Sequence, residues 1–167
     1  MPKQLLIIFD LDDTLFLRLP DNYTEEDLNS IKLYSGVRGL LVRNDYKKFL
    51  VSKGNPDFQY KKLAVLNITD LFDQIFICPT SEEKQKIFKK ISLDFPNELI
   101  WVIGDRIDSE IRYGKELGFK TVLLQRGKYK DLKAKDNLEI ADFKFSNFKE
   151  IAKFFEEKVF EKRGELQ

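Results

Sequence analysis

Apolar residues come in short unbroken blocks along this chain, and each block ends in polar or charged residues. The first is Leu5-Leu6-Ile7-Ile8-Phe9, followed at once by Asp10-Leu11-Asp12-Asp13-Thr14-Leu15. Five apolar residues without alternation predict a strand covered on both faces. By the same reading further strands fall at 45–52, 74–78, 99–103, 121–124 and 143–145. Helical signals lie between them. Thr24 with Asp27 three residues on predicts a short helix to about Tyr34. A second is expected from Gly36 to Val42. Asn55-Pro56 opens a third to about Leu66, with Leu63 and Leu66 inward. Ser81 is the expected cap of a fourth, whose Ile87, Phe88 and Ile91 face the core. Another runs from Glu110 to Leu117 and closes on Gly118; the last spans Phe148 to about Phe160. Strands alternating with helices predict an α/β fold, a Rossmann-like doubly wound parallel sheet. Residues 1–160 read as one domain with a short cap-like insert at about 16–35, and 161–167 as a frayed tail.

Composition narrows the chemistry. Lysine and arginine number 29 against 28 acidic residues, a net charge of +1, so charge selects neither nucleic acid nor membrane as a partner. The single cysteine, Cys78, permits no internal disulfide and fits a reducing cytoplasm. The first apolar block is too short for a signal-peptide core or a membrane span. There is no histidine. That removes Ser-His and Cys-His nucleophile pairs, imidazole zinc sites and histidine phospho-transfer, and leaves acid–base work to carboxylates, lysine, tyrosine or the lone cysteine.

A strand buried on both faces has no solvent side for charge, so carboxylates gather where it emerges, and ligands of open α/β sheets bind there. Asp10 and Asp12 are two residues apart and point the same way while the backbone stays extended. Paired carboxylates raise each other's pKa unless a cation lies between them, which points to Mg²⁺. Asp10-Leu11-Asp12-Asp13-Thr14 after an apolar strand resembles the first motif, Asp-x-Asp-x-Thr, of the haloacid dehalogenase superfamily. In phosphatases of that group the first Asp attacks phosphorus, and the second protonates the leaving group and then activates water.

Later segments match that family's remaining motifs in order. Phe49-Leu50-Val51-Ser52-Lys53-Gly54-Asn55 is similar to the second, with Ser52 as its hydroxyl residue and the amides of Lys53 and Gly54 behind it for phosphate oxygens. The third, a lysine at a helix start, is Lys84 or Lys86; the spacing to Gly104 favours Lys84. Trp101-Val102-Ile103-Gly104-Asp105-Arg106-Ile107-Asp108-Ser109-Glu110 resembles the fourth. There the resemblance implies that Asp105 binds Mg²⁺ with the Asp10 carboxylate and the Asp12 backbone carbonyl, backed by Thr14 and by Asp108 or Glu110.

The resemblance thus implies a Mg²⁺-dependent phosphomonoesterase acting through an aspartyl-phosphate on Asp10. Asp12 is the acid and base, and Ser52, Lys53 and Lys84 clamp the phosphate. An alkoxide leaving group fits the presence of Asp12, since a departing halide needs no proton. The rivals are a phosphotransferase of the same fold, a phosphate-binding scaffold, and a receiver-like signalling module. The last needs an acceptor Asp after the third strand, where Cys78-Pro79-Thr80 stand. The intervals between motifs leave room for no lid beyond residues 16–35, which is similar to the capless branch. Phe16, Leu17 and Arg18 are the expected rim that selects the leaving group. A small phosphorylated metabolite is the expected substrate, and a homo-oligomer covering that rim fits the missing lid. The basic stretch from Arg126 to Lys135, with Tyr129, reads as a solvated loop.

Overall fold

The computed structural model describes residues 3–161. Six strands form one sheet in which every pairing is parallel: β1 (Leu5–Phe9), β2 (Lys47–Lys53), β3 (Gln74–Cys78), β4 (Leu99–Gly104), β5 (Lys120–Leu124) and β6 (Phe143–Phe145). Their order is β3-β2-β1-β4-β5-β6. The chain therefore reverses its direction of travel across the sheet beside β1, and ligands of such sheets bind at that switch point. The helices are α1 (Glu25–Asn29), α2 (Val37–Leu41), α3 (Pro56–Val65), α4 (Ser81–Asp94), α5 (Arg112–Glu116) and α6 (Phe148–Phe154).

β1 is buried throughout because helices cover both faces of the sheet. Leu5, Ile7 and Phe9 join one core with Leu40, Leu63 and Phe155; Leu6 and Ile8 join the other with Phe49, Phe88 and Val102. Each such side chain contributes about 1.5–3 kcal/mol through burial. The register sets the functional edge. Phe9 lies level with Leu50 of β2 and Ile103 of β4. Asp10, Ser52 and Asp105 therefore emerge together where the three central strands end.

Several local expectations need adjustment. Thr24 and Asp27 form a reciprocal capping box, yet α1 ends at Asn29. Ile31 and Leu33 pack inward beyond it, and Leu33 bridges Phe16. Thr80, not Ser81, caps α4, accepting from the Glu83 amide at 3.1 Å. The segment after Glu110 opens with a wide turn over Ile107–Ile111, kinked at Ser109, before α5 begins. The last helix continues as a wider turn over Phe155–Phe160. Of the expected frayed tail, residues 162–167 lie outside the described residues. Among the described residues no helix is long and apolar enough to cross a membrane.

Candidate active site

After Phe9 the chain leaves the sheet through a tight turn. The amides of Thr14 and Leu15 both donate to the Leu11 carbonyl, and Asp13 takes a left-handed φ of 61°. This turn separates two carboxylates that extended backbone would have aligned. Asp10 accepts from Lys84 Nζ of α4 at 3.0 Å. Asp12 faces α3 instead, with Lys62 Nζ 2.7 Å from Oδ1 and Gln59 Nε2 3.0 Å from Oδ2. The expected convergence of Asp10 and Asp12 is thus corrected to divergence on two lysines, although both line one cavity of about 160 Å³.

The carboxylates that do converge are Asp10, Asp105 and Glu110, each offering an oxygen within 4.8 Å of the others. All three are buried. Thr14 Oγ1 stands 3.1 Å from Asp10 Oδ2 and 3.3 Å from Asp105 Oδ1, and its single proton serves one of them at a time. Among the described residues Lys84 is the only lysine paired with the cluster, 3.4 Å from Glu110 as well. Lys86 is exposed and pairs with Glu82, so of the two candidate lysines it is Lys84 that stands at the cluster. Asp108 is clamped at 2.9 Å by two nitrogens of Arg106, leaving Glu110 as the acid behind the cluster.

Electrostatics follow from that crowding. Burial, then the Glu110 charge, push Asp10 up to about 6 against the pull of Lys84. Asp105 goes to about 11 through burial and then the charges of Asp10 and Glu110. Burial works to raise Glu110 too, but Lys84 and donors including Ser109 outweigh it and hold it at about 2. Burial opposes the charge on Lys84, yet Asp10 and Glu110 lift it above the ordinary lysine range. Asp105 Oδ2 and Glu110 Oε1 are buried without a hydrogen-bond partner. Two orphaned carboxyl oxygens beside a third acid are what a hard divalent cation satisfies, so the donor set fits Mg²⁺.

Other expected positions divide. Ser52 is buried, and its hydroxyl accepts from Gln59 Nε2 at 2.6 Å, leaving its own proton for another acceptor. Lys53 and Gly54 line the cavity. The Gly54 amide is already spent on the Cys78 carbonyl at 2.9 Å, which corrects its expected role toward phosphate. Phe16 is no rim residue: it is wholly buried in the core. Leu17 is 61% exposed, and Arg18 borders the cavity with its Nε 3.3 Å from Asp13. Cys78 is a buried thiol at the end of β3, as a core residue should be.

Three residues of the site were not singled out from the sequence. Gln59, Lys62, Leu63 and Leu66 are spaced as one helical stripe, and all four are buried. A polar half to an otherwise inward stripe is the signal that could have exposed Gln59 and Lys62. Tyr129, from the basic stretch read as a solvated loop, lines the cavity, and the Arg106 guanidinium lies 4.1 Å from its ring centre. The loop is held there by Asp13, which accepts from the Lys128 amide at 3.0 Å and the Arg18 amide at 2.9 Å.

Gly104 has a steric duty at the cluster. A Cβ on it would lie 2.0 Å from Glu110 Cγ. Gly104→Ala should therefore expel Glu110 or shift β4, at about 1–3 kcal/mol for overpacking. Thermal denaturation checks this; a midpoint equal to wild type would show that Glu110 is free to move.

The chain matches a family model described as HAD-hydrolase-like over residues 84–151. It is 32% identical over 130 residues to the glyceraldehyde 3-phosphate phosphatase of Pyrococcus furiosus, covering 72% of this chain and 53% of that protein. It spans about half the length of the curated relatives it matches. Among solved structures it resembles a haloacid dehalogenase-like hydrolase from Burkholderia xenovorans, with a TM-score of 0.72, 15% identity, and coverage of 93% and 98%. It also resembles the magnesium-bound HAD-hydrolase YfnB of Bacillus subtilis, with a TM-score of 0.67, 16% identity, and coverage of 93% and 100%. These solved structures share the fold. The chain is thus similar to the haloacid dehalogenase-like hydrolases, in sequence over residues 84–151 and in fold over most of its length.

Proposed function

We propose that the protein is a cytoplasmic phosphomonoesterase for a small phosphorylated metabolite, using Mg²⁺ and a covalent aspartyl-phosphate on Asp10. The observation that carries this reading is the placement of Asp10 between Lys84 and the Asp105–Glu110 pair, with Asp12 held apart on its own lysine. The two carboxylates sit in different environments, as two different roles require. Relatives named for glyceraldehyde 3-phosphate hydrolysis support a small phosphate ester, and that triose phosphate belongs in any substrate panel.

In this reading an Asp10 oxygen attacks phosphorus, the bond from phosphorus to the ester oxygen breaks, and the departing oxygen takes a proton from Asp12. Water then gives a proton to Asp12 as its oxygen attacks phosphorus, and the bond to Asp10 breaks to release phosphate. Lys62 and Gln59 fix the Asp12 carboxyl for both steps. Lys84, Lys53 and the Ser52 hydroxyl neutralise and orient the phosphoryl oxygens. Asp10, Asp105 and the Asp12 carbonyl would hold Mg²⁺, with Glu110 and Thr14 fixing them. The ion would supply positive charge for the phosphoryl group. Residues 16–35 serve as the entire cap.

The test is phosphate release from phenyl phosphate with Mg²⁺, expected to vanish in EDTA and return with the metal. Full activity in chelator, or no release at all, would refute the reading. The metal has a second, activity-free signature. Asp10 and Asp105 are raised in the fold, so without a cation their stabilising contribution is present at low pH and lost as pH climbs through about 6 and beyond. Mg²⁺ must displace those protons. The gain in melting temperature on adding it should therefore grow from about pH 5 to about pH 8. A gain that is flat across this range, or absent, contradicts the assigned ligands.

A further inference from the structure

Asp12 and Arg18 form the shared wall of two recesses. One is the cavity that holds Asp10, Lys84 and Asp105. The other, of about 200 Å³, lies across Asp12 against Pro20, Tyr23, Phe58 and Lys62. The oxygen leaving phosphorus must come within reach of Asp12, so the alcohol half of an ester departs from the first cavity at the place where the second opens. We propose that this second recess is the leaving-group subsite, and that it selects a compact, ring-sized alcohol bearing a second anionic group, a carboxylate or a phosphate. The proposal rests on the phosphatase reading of Asp10 and Asp12.

Size and shape set the first half of that class. A dry cavity of about 150 Å³ accepts benzene, so this recess takes one ring and little more. Its apolar wall is rigid. Tyr23 and Phe58 stack with ring centres 5.0 Å apart at 18°, and Lys62 Nζ sits 4.1 Å from the Phe58 ring centre. Pro20 adds a second fixed surface.

Charge sets the second half. Lys62 is spent on Asp12, but Arg18 is not fully engaged. Its Nε reaches Asp13 at 3.3 Å, its ring neighbour Tyr129 lies 5.6 Å away, and about a third of the side chain is exposed. Among the described residues its two terminal nitrogens find no hydrogen-bond acceptor. A planar guanidinium with two free donors matches a carboxylate or phosphate in two-point geometry. Asp21 borders the same recess, so the anion belongs at the Arg18 end. The competing account is that Arg18 merely steers the transferred phosphate, in which case a second anion on the substrate gains nothing.

The experiment compares phenyl phosphate, 3-carboxyphenyl phosphate and 1,3-phenylene bisphosphate with the full chain and Mg²⁺. Phosphate release gives kcat/KM, and calorimetry on Asp10→Asn gives Kd for each ester. At least one of the two esters carrying a second anionic group should exceed phenyl phosphate about tenfold in both measures, the ratio that one charge-assisted pair supplies. The two anionic esters separate carboxylate from phosphate as the preferred group. Arg18→Gln should bring the ratio to near unity. Arg18→Lys, which keeps charge and loses the fork, should leave it in between, and decides the matter if the Gln variant does not fold. No preference in wild type, or a preference untouched in these variants, overturns the subsite. If no ester is hydrolysed while Arg18-dependent binding persists, the phosphatase reading fails and the anion subsite stands.

Discussion

Asp10→Asn should lower turnover of phenyl phosphate about 10⁴-fold or more and leave the fold intact. An amide cannot attack phosphorus, so no covalent intermediate forms. The structural cost is small for a buried charge. Lys84 keeps Glu110 at 3.4 Å, and Thr14 keeps Asp105 as an acceptor. The change also removes one of three mutually repelling carboxylates. Steady-state rates, circular dichroism and mass spectrometry of the trapped Asp10 peptide check this together. Retention of a tenth of the wild-type rate, or a phosphoryl adduct on the variant, would remove Asp10 as nucleophile.

Lys84→Met should produce the largest loss of stability. Lys84 is buried between Asp10 and Glu110. Removing it strands buried carboxylates without their cation, at about 3–5 kcal/mol. For a chain of this size that is roughly 10–15 °C in melting temperature. The sign with pH is fixed by Glu110, whose low pKa depends on Lys84. With the lysine gone, the cluster escapes its repulsion by taking up protons, so the deficit shrinks as pH falls. Added Mg²⁺ should recover part of it by supplying the missing positive charge. A melting temperature within two or so degrees of wild type at neutral pH would mean the cluster relaxes freely, against the close packing of this site.

The centre of the sheet was legible in the sequence because burial on both faces leaves unbroken apolar blocks, as in Leu5–Phe9 and most of Leu99–Gly104. The apolar run Ile75–Cys78 marked the edge strand, although that strand is only partly buried. The acidic cluster was legible for the same reason, since charges of buried strands can stand only at their ends. The orientation of Asp12 was not. A period of two holds only while the strand continues, and β1 stops at Phe9. Phe16 was misplaced because its burial comes from a bridge to Leu33, seventeen residues on, which no local pattern records. The roles of Lys62 and Tyr129 depend on α3 and the loop after β5 folding against the first turn. A lysine on a helix and a tyrosine among basic residues look like solvated surface until those partners are known.

The clasp between Asp13 and the Lys128 amide joins positions 115 residues apart in sequence. β1 likewise has its neighbours on either side drawn from distant segments, Lys47–Phe49 and Leu99–Ile103 among them. During synthesis at about 5–20 residues per second, roughly 6–23 s pass between the emergence of the two halves of that clasp. For most of this interval the Asp10 turn lacks β4, and for all of it the loop after β5 is not there to close over it. Loop-closure entropy of this span makes such contacts late in folding as well. The site around Asp10 is thus not enclosed until Lys128 has been made, so its closure reports long-range folding rather than local structure.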